Sequence, residues 1–145
     1  VLVFVALSVL SVVRAEDGRD RVPLTIETAT GARHVFQVEV ADEAEERRVG
    51  LMYREEMERE QGMLFAFTRS DIIRMWMQNT ILPLDMIFAN GEGRIVHIHE
   101  NAVPFSTAEI NSRRRALYVL EVNAGVAKEL GLAPGDRLVG AGIAD

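Results

Sequence analysis

Leu84-Asp85-Met86-Ile87-Phe88-Ala89-Asn90-Gly91-Glu92-Gly93-Arg94-Ile95-Val96-His97-Ile98-His99-Glu100 is the stretch that decides the fold. Asn90-Gly91-Glu92-Gly93 is hairpin-turn chemistry, because Asn and Gly reach positive φ at low cost. It separates two runs of strand composition, residues 84–88 and 94–100. Pro83 has no N–H to give a ladder, so it belongs at the start or edge of the first run.

The same period-two pattern recurs on both sides. Upstream, residues 22–28 alternate apolar and polar side chains, Ala29-Thr30-Gly31 is a turn, and residues 33–40 resume with Phe36, Val38 and Val40 on one face. Asp42 to Glu45 has capping-box spacing, so a helix is expected from there to a stop at Gly50, with another turn or two over residues 51–60. Strands are expected at 63–67 and 73–77, joined by a polar link at 68–71, with turn chemistry at Asn79-Thr80. Downstream, residues 103–113 read as an irregular loop and 116–122 as a strong strand. Asn123 is placed to cap a short helix that ends at Gly131, and Pro134-Gly135-Asp136 turns into a last strand at 137–140. Short strands with one or two short helices, and no βαβ rhythm, make a mainly β domain. The expected architecture is a jelly-roll-like sandwich or a partly closed barrel.

The 145 residues make one domain, without internal repeats. The absence of cysteine excludes disulfides, thiolate nucleophiles and cysteine zinc sites. Residues 1–13 are apolar and uncharged, too short a run for a bilayer, which takes about 20 residues. Val13 and Ala15 supply the small side chains of a cleavage site, so residues 1–15 read as a signal peptide, 16–21 as a linker and 22–145 as the β-rich domain. The expected location is periplasmic or secreted, with no stable membrane span once the peptide is cleaved; an uncleaved anchor is the alternative. The formal charge is −6, and −7 without Arg14, which disfavours a nucleic-acid backbone as partner. The one basic run, Arg113-Arg114-Arg115, reads as a solvated loop or strand end.

Residues 75–88 are the densest in chemistry. Strand alternation sets Trp76 on the face opposite Met75 and Met77, while Asn79 and Asp85 are polar groups in apolar company. A buried carboxylate needs a hydrogen-bond or cationic partner. Arg47, Arg48 and Arg54 are candidates, and Arg54 is the expected partner of Asp85, its planar fork matching a carboxylate. Glu121, inside the apolar run 117–122, raises the same question. Asp85 and Glu121 either pin loops internally or, with Arg54, Trp76 and Asn79, line a ligand-binding pocket. His97 and His99 share a strand face without a third ligand in view, so no metal site is expected. There is no Gly-x-Ser-x-Gly elbow.

Four segments carry a family likeness: residues 47–54, 62–65, 76–88 and 118–125. Together they resemble the signature blocks of the family known as domain of unknown function 192, in the family's order and over nearly all of the chain after residue 15. The Trp76-Met77-x-Asn79-Thr80-x-x-Pro83-Leu84-Asp85 string is the most specific of them. The resemblance implies a compact, jelly-roll-like β domain, often exported in bacteria, with no established activity. Its polar signature falls on Arg54, Asn79, Asp85 and Glu121.

The function expected is that of a non-catalytic extracytoplasmic binding domain, without cofactor, for a small polar ligand such as a sugar or for an envelope protein. A glycan hydrolase or lyase using Asp85 and Glu121 as acid and base is the alternative. A metal-binding module through His97 and His99 comes third. Expression of the full-length gene, followed by fractionation and N-terminal sequencing, should yield a periplasmic or secreted protein that begins at Glu16. Recovery from the membrane with residues 1–15 intact would replace cleavage by anchoring.

Overall fold

A computed structural model describes residues 19–143; the expected signal peptide lies outside the described residues. Seven strands form one sheet: β1 (Val22–Glu27), β2 (Arg33–Ala41), β3 (Gln61–Met75), β4 (Leu84–Ala89), β5 (Ile95–Ala102), β6 (Ile110–Asn123) and β7 (Arg137–Gly140). Two short helices, α1 (Ala44–Val49) and α2 (Val126–Leu130), follow β2 and β6. The strand order is β5-β4-β6-β3-β2-β1-β7. Every pairing is antiparallel except β2 with β3, where the chain crosses back through α1 as a parallel pair requires.

The sheet curls until its two outermost strands touch at one end. Arg94 bridges Arg137. The N–H of Ile95 donates to the Asp136 carbonyl at 2.8 Å, and that of Leu138 to the Gly93 carbonyl at 2.7 Å. Gly93, at φ +81°, permits this approach, because a Cβ there would lie 2.3 Å from the Leu138 oxygen. Of the two arrangements expected, the partly closed barrel is the one formed.

Strand alternation divides the core in two. Leu24, Phe36, Leu64, Ile87, Leu120 and Val122 pack on one face, plugged by Val126 and Ala127 of α2. Met63, Phe65, Met86, Phe88 and Val119 pack on the other, covered by Leu51, Met77 and Leu82 from the loops. β4, between both clusters, is buried at all six positions.

Five local expectations are corrected. The strands at 63–67 and 73–77 are one strand, β3; irregularities in its ladder with β6 carry the polar stretch through. The Ser112 hydroxyl fills one of them, accepting from the Ile73 N–H at 3.0 Å and donating to the Arg114 carbonyl at 2.6 Å. β6 correspondingly starts inside the expected loop. The capping box of α1 is one residue later than predicted, between Glu43 and Glu46. Residues 51–60 are turns rather than helix, and the Tyr53 N–H bonds the distant Asn79 carbonyl at 2.9 Å. Asn123 does not cap α2; its amide donates to the Met57 carbonyl at 2.7 Å.

Asp85 does the capping. Fully buried in β4, its carboxylate accepts the N–H groups of Asn101 at 2.9 Å and of Gly125 and Ala127 at 3.0 Å each. These bonds pin the start of α2 and the end of β5 to the central sheet. In Asp85→Ala all three donors lose their acceptor, and an orphaned donor costs about 1–3 kcal/mol. Urea denaturation should show a loss of about 3–5 kcal/mol, with faster hydrogen exchange at the Ala127 amide. A loss under about 1 kcal/mol would mean that water replaces the carboxylate at no penalty.

Candidate functional site

In-register neighbours on adjacent strands share a face. The register therefore aligns Glu39 of β2, Met63 of β3, Glu121 of β6, Met86 of β4 and His99 of β5 in one row across five strands. Two carboxyls of this row are buried, and each is accommodated differently.

Glu39 is paired. Its carboxylate meets the Arg54 guanidinium, with the two side chains only 7% and 16% exposed, and Arg19 Nε stands 3.7 Å away. The expected Arg54–Asp85 pair is not formed. Asp85 is in register with Val122, so it projects to the face opposite Glu121 and Glu39, on whose side Arg54 lies.

Glu121 has no such partner among the described residues. It is 4% exposed, set between Met63 and Met86. Burial alone pushes its carboxyl up to about 8, with no hydrogen bond or cation acting against it. At neutral pH it is mostly the uncharged acid, able to donate one hydrogen bond. It lies on the wall of a cleft of about 250 Å³ that Phe65, Trp76, Arg47, Arg48 and Arg74 also line. Trp76 is half exposed. The Arg47 guanidinium binds the Ala66 carbonyl at 3.0 Å and that of Asp42, and sits over the Phe67 ring at 5.4 Å. Arg48 holds Glu45 through two bonds of 2.8 and 2.6 Å, and Arg74 stands 3.3 Å from Glu109. Apart from Glu121 when ionised, the side chains facing the cleft thus offer mainly hydrogen-bond donors above an apolar wall.

The five residues predicted for one pocket are distributed as follows. Trp76 and Glu121 share the cleft. Asn79, half-buried at φ +54°, shapes the adjoining loop through its carbonyl. Arg54 serves Glu39, and Asp85 is turned into the opposite core, so Asp85 and Glu121 do not converge as an acid and base. His97 stacks on Phe88 at 5.9 Å, and burial, aided by Arg113 and His99, lowers its pKa. Among the described residues, no three His, Asp or Glu side chains are grouped to hold a metal ion. Sequence reasoning missed Glu39, which occupies a polar position in an alternating strand, and Phe65 and Arg74, which only the continuous course of β3 through its irregular middle brings to one cleft.

The sequence model of the family DUF192, described as "Uncharacterized ACR", matches residues 25–140, from within β1 to the end of β7. A protein from Sinorhizobium meliloti 1021, provisionally described as a transcription regulator, is 51% identical with a TM-score of 0.82; the match covers 84% of this chain and 95% of that one. A protein of unknown function from Novosphingobium aromaticivorans DSM 12444 is 39% identical with a TM-score of 0.81, over 86% of this chain and 89% of that one. No curated protein matches the chain.

The raised carboxyl of Glu121 has a consequence for stability. From the ordinary 4.5 up to about 8, the folded protein holds a proton that the unfolded chain releases. The contribution is therefore complete below pH 4.5, declines as pH rises and is gone above about 8. The decline should be on the order of 4 kcal/mol in urea denaturation across that range, and Glu121→Gln, with no proton to lose, should remove it. An identical slope in both proteins would place the titration elsewhere.

Proposed function

The chain belongs to the DUF192 family, and from that premise we propose that it is a non-catalytic extracytoplasmic binding domain that takes a small polar ligand, such as a sugar, between Trp76 and Glu121. One observation carries the reading: Glu121 is a buried acid without a partner on the wall of an open cleft. A buried polar group without a hydrogen bond is costly, and a ligand that brings an acceptor to it offsets that cost.

Other features favour the same ligand class. Trp76 presents a flat apolar surface with a polar N–H edge, suited to the mixed faces of a sugar ring. The guanidinium groups supply further donors for hydroxyl oxygens. Apolar walls with a few convergent polar groups are the usual make-up of small-molecule sites. The absence of catalysis is argued from the carboxyls, since Asp85 is engaged by three backbone N–H groups and Glu121 stands alone. The extracytoplasmic location rests on the apolar start and the Val13-Arg14-Ala15 junction. The transcription-regulator description stays with the Sinorhizobium protein, because a chain of net charge −6 gives a nucleic-acid backbone little to bind.

Trp76 is the chain's one tryptophan, so its emission reports on the cleft directly. Titration with neutral mono- and disaccharides near pH 6.5 should give a saturable change for at least one of them. Glu121→Ala should weaken that binding about tenfold, one hydrogen bond's worth, while Glu121→Gln retains most of it. No saturable change with any sugar would overturn the reading.

A further inference from the structure

Five of the seven exposed large hydrophobic residues among those described are Tyr53, Trp76, Ile81, Val103 and Phe105, and all five come from three loops. Backbone hydrogen bonds lace these loops together: Tyr53 N–H to the Asn79 carbonyl at 2.9 Å, Phe105 N–H to that of Thr80 at 3.1 Å, and Met77 N–H to that of Ser106 at 2.9 Å. Tyr53 at φ +65° and Phe105 at φ +64° hold a left-handed backbone conformation that bulky residues seldom adopt. Such strain persists only where the surroundings enforce it, and it is concentrated at functional positions. Here it accompanies two aromatic rings that are 69% and 61% exposed and contribute little to either core.

The platform adjoins the cleft. Met52, Trp76, Gln78 and Thr80 line the cleft, and the same loops carry Tyr53 and Ile81. Residues 79–84 and 102–108 contain no charged side chain. We infer that the ligand is an amphiphile, whose hydroxyl-rich head enters the cleft toward Glu121 and whose hydrocarbon tail lies over Tyr53, Ile81 and Phe105. The inference rests on the cleft being a binding site, as proposed above. Together these five residues expose on the order of 600 Å², the upper end of a monomer's apolar patches, which are often functional. Residues 79–84 and 102–108 carry no charge, which suits hydrocarbon better than the polar rim of a protein interface, and the exposed Glu55 and Glu56 lie on the Tyr53 side alone.

The test is a series of methyl, hexyl and octyl glucosides and maltosides, titrated below their micellar concentrations and followed by Trp76 emission and calorimetry. Affinity should rise about twofold per methylene, half the gain of complete burial, or on the order of 100-fold from methyl to octyl. A Tyr53→Asn, Phe105→Asn double variant, using a residue that tolerates positive φ, should flatten the length dependence and leave methyl-glycoside affinity unchanged. Glu121→Ala should weaken every member by the same factor. A methyl glycoside that binds with no gain from the tail overturns the amphiphile and leaves the cleft reading standing. Failure of every member to bind removes both. Tail-dependent binding indifferent to Glu121→Ala would show mere adsorption to the platform, and binding to phospholipid vesicles without any glycoside effect would show membrane docking; either overturns the inference.

Discussion

β6 runs through the middle of the sheet with β4 on one side and β3 on the other, so its register fixes which side chains meet on each face. Tyr118, Leu120 and Val122 belong to one core, and Val119 to the other. Because side chains alternate strictly, a slip of one residue would exchange the two sets and carry Glu121 into the core that α2 plugs. Gly62 holds β3 against this strand, since a Cβ there would lie 2.5 Å from the Glu121 carbonyl. The position of the cleft's acid is therefore a consequence of the same packing that forms the cores.

The two buried carboxyls of the row through β6 illustrate two ways of tolerating an acid in low dielectric. Glu39 keeps its charge beside Arg54, an arrangement that costs several kcal/mol when one partner is removed. Glu121 keeps its proton. Only the second leaves a donor available to something outside the protein. Asp85 follows a third course, with backbone N–H groups in place of any cation, and its role is to join α2 and β5 to the sheet.

Much of this was legible in the chain. The Asn-Gly turn announced the β4–β5 hairpin, and the apolar run of β6 and the turn before β7 were equally plain. That Asp85 and Glu121 needed explanation followed from charge in apolar company. What answered the need did not follow. The groups that meet Asp85 are main-chain N–H groups 16, 40 and 42 residues away, which no side-chain pattern reveals. The start of α1 was misplaced because Asp42–Glu45 and Glu43–Glu46 satisfy the same spacing, and tertiary context chooses between them. The length of β3 was hidden by its polar middle, where irregular pairing with β6 tolerates residues that composition assigns to a loop. Trp76 and Glu121 both stand out in the sequence, but the cleft between them depends on β3 running beside β6 from Gln61 to Met75, which sets Trp76 just beyond its end.

The pairing of β1 with β7 sets an order on biogenesis. Leu24 lies opposite Gly140 and Ile26 opposite Leu138, so the first strand of the sheet acquires its outer neighbour only from the last one made. Such non-local pairing bears the loop-closure entropy of nearly the whole chain before it returns any contact energy, and it makes folding slow. While the ribosome is still at work, β1 and β2 can form a hairpin but the barrel has no seam to close. Until Arg137–Gly140 is in place the outer edge of β1 stays unpaired, and the final strand of the sheet acts as the clasp.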